Sequence, residues 1–216
     1  MNVSTLTLHV PQRNKLSGRL DFAQMVSGVL LILFLWAHLM LVSSVLIAPG
    51  LMNAIADFFE ATYMAQVGGP AIFLMMLAHF LLAARKMPFQ QQELKAFRAH
   101  SQMMHHKDTT MWLVQVLSAL VILVLASIHM FVVLTDLPIT AAKSADRIQH
   151  GWLYMYLVLL PMAEMHVGIG FYRIGVKYGF INSAKRAWYQ KAENVMMLGF
   201  IGIGLMTLTR FMLLAN

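Results

Sequence analysis

Nine histidines and nine acidic residues occur in a chain of 216 residues that has no cysteine. Their surroundings divide them. His38, His79, His129 and His166 stand inside long apolar stretches, whereas His9, His100, His105, His106 and His150 stand among polar residues and read as solvated loop side chains. An imidazole in apolar surroundings can ligate a metal, carry a proton or hold two helices together by hydrogen bonds. Among the carboxyls, Glu164 lies two positions before His166 inside such a stretch, and Glu60 lies just ahead of another. A carboxyl at membrane depth is either a hydrogen-bonded packing group or part of a proton path. Glu60, by residue type and position alone, reads as a solvated loop group. Without cysteine the chain itself offers no disulfide, no thiolate for an iron–sulfur cluster and no thioether attachment for a haem.

The elements that must position these groups follow from where charge is missing. Hydrophobic residues make up 59% of the chain and charged residues 12%, with a mean hydropathy of +0.67, a balance that excludes an ordinary soluble globule. No formal charge occurs between Asp21 and Asp57, from Ala61 to Ala84, from Thr109 to Thr135 or from Asn194 to Thr209, and Ile148 to Tyr172 contains only Glu164. At about 1.5 Å rise per residue such stretches cross the roughly 30 Å of a hydrocarbon core, the last with Arg210 snorkelling at its end. The expectation is an all-α membrane protein with five transmembrane helices, at about 22–48, 64–85, 111–135, 151–174 and 194–214. No internal repeat, low-complexity tract or linker is visible, so residues 1–216 read as a single transmembrane domain. The polar first twenty residues, with Arg13, Lys15 and Arg19, contain no apolar core of a cleaved signal, and the first span is expected to remain.

Lysine and arginine are retained on the cytoplasmic side of short loops. With the N-terminus inside, thirteen of the 16 basic residues fall on the inner side and only Lys143, Arg147 and Arg210 on the outer. The N-terminus is therefore expected in the cytoplasm, and the net charge of +7 needs no nucleic-acid partner. The basic loops suit anionic lipid, with docking of a soluble partner as the other reading.

With alternating helix directions the four membrane histidines fall at two depths. His79 is six residues from Arg85 and His166 seven from Arg173, which puts both roughly 9–10 Å from the inner ends of their helices. His38 and His129 lie roughly 24–27 Å from the inside. Two levels, each with two imidazoles from different helices, are what the axial ligation of two stacked b haems requires, His38 with His129 at the outer level and His79 with His166 at the inner. The first four helices then form a bundle around the haems. Zinc fits less well, since each level offers only two nitrogens and no thiolate. The levels are about 16 Å apart, so electrons can cross the bilayer through one subunit. Gly28, Gly168 and Gly170 can admit a macrocycle close to the backbone or serve ordinary helix packing. Pro161 is a candidate kink in the fourth span. The 19 methionines suit adaptable packing rather than ligation. Glu164, two positions from His166, is expected at the inner level on roughly the opposite side of its helix.

Five spans, four histidines in this order and further matching residues make the chain resemble the dihaem cytochrome b membrane anchors of bacterial menaquinol:fumarate reductases, in the succinate:quinone oxidoreductase superfamily. The resemblance covers almost the whole chain. It implies the same ligand pairs that depth gives, and it implies that Glu60, about twenty-two positions after His38, accepts protons from menaquinol near the outer haem. It further implies that Glu164 belongs to a transmembrane proton route and that Gln24, Trp112 and Lys177 are propionate partners of the inner haem. The other reading of Trp112 is an interfacial belt residue, and of Lys177 an ordinary inner-side charge. Met25 departs from the pattern, where a serine is expected after the glutamine, with Ser27 as a possible substitute donor. Arg147 matches the pattern's outer arginine only one residue out of register.

The resemblance thus implies a subunit of an oxidoreductase complex in the bacterial inner membrane, multi-pass, carrying two haem b groups and menaquinol. Electrons would pass to an iron–sulfur subunit and an FAD flavoprotein subunit where fumarate is reduced, because this chain has no motif for the dicarboxylate chemistry. Alternatives are the same complex run as succinate:menaquinone reductase, the cytochrome b anchor of a hydrogenase or formate dehydrogenase, and a scaffold whose histidines are only helix contacts. Pairing of whole complexes into dimers is left open.

Overall fold

The computed structural model describes residues 15–87, 90–104 and 107–214. His9, Arg13, His105 and His106 lie outside these residues, as does the side chain of His100. The described chain is all-helical: α1 (Lys15–Ser43), α2 (Pro49–Ala61), α3 (Met64–Ala84), α4 (Gln91–Met104), α5 (Lys107–Leu134), α6 (Ala141–Arg147), α7 (Leu153–Lys177) and α8 (Arg186–Met212). Five stretches, built on α1, α3, α5, α7 and α8, are long and apolar enough to cross a membrane, in line with the five expected spans.

The helix ends differ from those expected, for a common reason. Loss of charge marks the hydrocarbon, whereas a helix ends where its backbone hydrogen bonding stops, and that continues beyond the membrane. Thus α8 starts at Arg186 rather than near 194, its polar first two turns preceding the apolar part. Conversely α1 ends at Ser43, short of 48: a tight turn over Ser44–Leu46 and extended Ala48 (φ −160°, ψ 139°) lead into α2, which Pro49 opens. The amphipathic α2 buries Met52 and Ala56. Tyr63, in the left-handed region at φ 58°, reverses the chain into α3. Neither α2 nor α4 was expected, because both are short and carry the charge that delimited the spans. Near the other end of α5, Thr140 caps α6 by accepting the Lys143 N–H at 3.2 Å. A break at His150 and Gly151, the latter at φ 106°, then starts α7.

The pairs α1–α3, α3–α5, α5–α7 and α7–α1 pack on one another. They close a ring in which α1 faces α5, and α3 faces α7, across the diagonals. α8 lies outside the ring against α7 and α1. The buried apolar cluster Val45, Met52, Ala141, Ala145, Ile148 and Phe211 joins α2, α6 and the end of α8 and closes one end of the ring. On the outer faces Leu33, Leu74, Leu117, Val124 and Phe131 are exposed, an arrangement suited to lipid rather than water. Hydroxyls inside the apolar helices bond their own helix, as Thr207 does to the Ile203 carbonyl at 2.9 Å.

Candidate cofactor cavity

A cavity of about 620 Å³ fills the interior of the ring, within the size range of sites that enclose an organic ligand. His38, His79, His129 and His166 all line it, each from a different helix of the ring. At one end, marked by Asp21, it is walled by Gln24, Lys86, Trp112 and Lys177; at the other it meets Met52, Ile139, Arg147 and Ile148.

The histidines are held in ways that suit ligation. His38 and His129 come from the diagonally opposed α1 and α5, with ring centroids 5.9 Å apart and planes at 62°. Two imidazoles on opposite sides of one metal, at nitrogen–metal bonds of about 2.0–2.1 Å, would have centroids about 6.4 Å apart, within about 0.5 Å of the spacing here. The Nδ1 of His129 lies 2.9 Å from the Tyr156 hydroxyl, and the two rings meet edge to face. His166 donates its Nδ1–H to the Gln115 carbonyl at 3.0 Å, since a carbonyl can only accept. That leaves its Nε2 bare. Ser118 Oγ stands 3.2 Å from the same Nδ1, and at the other end of that diagonal Ser27 Oγ stands 2.9 Å from Nδ1 of His79. Gly28 lies beneath the His79 ring: a Cβ there would meet Cε1 at 3.0 Å. The donor set is therefore two imidazole pairs on two diagonals. It fits a metal whose other positions a macrocycle already fills, and among the described residues no group of three or more His, Cys, Asp or Glu converges as an all-protein site would require.

Glu164 is 3% exposed and also lines the cavity, together with Gly204, Thr207 and Phe211 of α8. It had been expected on the opposite side of α7 from His166. Both reach the cavity because it extends sideways toward α8. Gly170 lies against Gln115, but Gly168 faces Glu193 of α8 at 3.1 Å from a would-be Cβ, and serves helix packing. Glu60, near the end of α2, accepts the backbone N–H of Ile139. It is not on the cavity wall but one residue contact behind it, and it anchors the α5–α6 loop rather than lying free in solvent.

Charge gathers at both ends. Asp21 forms ion pairs with Arg85 at 3.2 Å, Lys86 at 2.6 Å and Lys177 at 2.9 Å. At the far end Asp136 pairs with Lys143 at 2.9 Å and with the buried Arg147 at 2.8 Å. The Lys143 ammonium first, and the Arg147 guanidinium next, hold the Asp136 carboxyl below its ordinary value. Arg173 donates to Gln115 Oε1 at 3.0 Å on the cavity wall.

Several of these groups escaped the sequence reading, and a signal was present. Gln24, Ser27 and His38 on α1 have the same spacing as Gln115, Ser118 and His129 on α5, and Lys86 follows His79 by the same seven positions as Arg173 follows His166. The chain therefore does contain an internal repeat. It had gone unseen because only polar positions carry it while the apolar ones between them vary freely.

A family model described as the succinate dehydrogenase/fumarate reductase transmembrane subunit matches residues 91–206. A protein of Helicobacter pylori named fumarate reductase cytochrome b subunit is 37% identical over 207 residues, covering 91% of this chain and 81% of the relative. One of the same name from Wolinella succinogenes is 30% identical over 213 residues, covering 91% and 83%.

Proposed function

The chain belongs to the succinate dehydrogenase/fumarate reductase transmembrane subunit family, and from that premise we propose that it anchors a fumarate reductase in the membrane, binds two b haems and oxidises menaquinol. One observation carries the reading: His38 and His129 meet at 5.9 Å across one diagonal of a ring whose cavity is also lined by His79 and His166 on the other.

In this reading His38 and His129 hold the outer haem and His79 and His166 the inner one, with residues 1–216 forming one transmembrane cytochrome b domain whose N-terminus is cytoplasmic. Bound there, the haems supply one-electron carriage. Gln24, Trp112 and Lys177 supply amide, indole and ammonium donors to the inner carboxylates. Arg147, buried beside His129 and Tyr156 on the cavity wall, supplies positive charge at the outer end.

Menaquinol becomes menaquinone by giving up two electrons and two protons. Glu60 accepts a proton from the quinol at the outer end. The electrons leave at the inner end for an iron–sulfur subunit and then an FAD flavoprotein, where fumarate takes up two electrons and two protons to give succinate. Inward electron movement across a membrane potential costs about 2.3 kcal/mol per charge per 100 mV, and a proton accompanying it through Glu164 offsets that cost. The complex lies in a bacterial inner membrane.

His38→Ala tests the reading. The purified complex should keep one haem of two, and should lose quinol-driven fumarate reduction while an artificial low-potential donor still drives it. Retention of both haems would exclude His38 as a ligand.

A further inference from the structure

We propose that Ser27 and Ser118 are positioning residues for the inner pair of imidazoles: each hydroxyl engages the Nδ1–H of the facing histidine, His79 or His166, and so fixes the tautomer that presents Nε2 to the haem iron. The inference rests on the proposed haem-binding function and adds to it the groups that orient two of the ligands.

Hydrogen-bond accounting carries it. Ser27 donates its hydroxyl hydrogen to the Gln24 carbonyl at 3.1 Å, and Ser118 donates its own to the Gln115 carbonyl, also at 3.1 Å. A serine has one hydroxyl hydrogen, so toward the imidazole each oxygen can only accept. With Ser27 Oγ 2.9 Å from His79 Nδ1, the hydrogen between them is the imidazole's. The same holds for Ser118 and His166. Each ring then has one protonated nitrogen turned to the helix wall and one bare nitrogen left for a metal, which is the usual outer-shell arrangement of ligating histidines. The device occurs twice, on α1 facing α3 and on α5 facing α7, with glutamine three positions before each serine. A single serine–histidine contact could serve only to hold two membrane helices together; its recurrence at equivalent places in the internal repeat, at both inner-level histidines, points to the ligands.

The two copies are not equal. Each imidazole also bonds the carbonyl of the glutamine on the facing helix, Gln24 for His79 and Gln115 for His166, but Ser27 Oγ is close to His79 at 2.9 Å whereas Ser118 Oγ, at 3.2 Å, is farther from His166 than the Gln115 carbonyl at 3.0 Å. An acceptor on Nδ1–H raises ligand basicity and favours the oxidised iron. Its loss should therefore raise the reduction potential of the inner haem, more in Ser27→Ala than in Ser118→Ala.

Optical redox titration and low-temperature electron paramagnetic resonance of the purified complex test this. In Ser27→Ala the ratio of oxidised- to reduced-state affinities should fall by about tenfold, a rise of about 59 mV for a one-electron couple. The inner low-spin signal should shift, the outer haem should keep its potential, and Ser27→Thr should restore the native values. Loss of the inner haem alone in Ser27→Ala, with recovery in Ser27→Thr, supports the proposal equally. An unchanged inner potential and signal in Ser27→Ala, equal shifts of both haems, or no recovery with threonine overturns it and leaves haem binding standing. Absence of haem from the native complex overturns the function itself and the proposal with it.

Discussion

Ile139 donates its backbone N–H to the carboxylate of Glu60, 79 positions earlier in the chain, and Ile139 itself lines the cavity. The bond ties α2 to the α5–α6 loop and holds a carboxylate directly behind the outer end of the cavity. Glutamine at this position can still accept the N–H but cannot take a proton. Glu60→Gln is therefore expected to leave folding and both haems unchanged while lowering menaquinol oxidation by about 10²-fold or more, the scale of a lost general base. Steady-state quinol:fumarate rates, with dithionite reduction of the haems as control, check it; native rates would remove Glu60 from the proton chemistry.

Glu164 has the opposite setting, 3% exposed and on the cavity wall beside α8. Glu164→Gln keeps size and polarity, so both haems should remain and an artificial donor to the inner side should drive fumarate reduction at native rates. Quinol-driven turnover should fall, because no proton then accompanies the electrons. Equal loss of both rates would indicate a packing role instead.

Lys177 bonds Asp21 at 2.9 Å where the cavity reaches its basic end. In the proposed function the inner haem sits at this end, where the two charges would act on it with opposite sign. Asp21→Asn should make the inner haem easier to reduce, and Lys177→Met harder, with the outer haem little affected. Shifts of the same sign in a redox titration would place the pair away from the haem.

At the other end, Asp136 is held below its ordinary value by Lys143 and Arg147. A lowered folded pKa adds stability that is fully present above the unfolded value, about 3.9, and is lost only as pH falls through the folded value. The Tm difference between the native chain and Asp136→Asn in detergent should thus stay constant from about pH 8 to 5 and shrink only below about pH 4. A difference that already shrinks between about pH 7 and 5 would assign the effect to another group.

The spans and the four histidines were legible because a bilayer excludes charge, and 16 basic and nine acidic residues leave few ways to thread it. Helix directions then paired the histidines by depth, and in the fold α1 stands diagonal to α5 and α3 to α7. The ends were less legible. Arg186 and Lys107 begin helices because backbone hydrogen bonding does not stop at the membrane surface. Glu60 looked like a loop residue because α2 is short and mixed in polarity, so nothing in its composition announces a helix fastened to Ile139. Ser27 stood out only as a substitute propionate donor and Ser118 not at all, for a different reason: a hydroxyl in an apolar helix ordinarily satisfies itself on its own backbone, as Thr207 does, and sequence alone does not tell such a group from one that also faces an imidazole.

If two imidazole pairs on two diagonals hold two haems in one chain, a pyridine haemochrome determination on the purified chain reads their number. Two b haems per chain are predicted; none would reduce the histidines to helix contacts, and one would break the pairing of His38 with His129 or of His79 with His166.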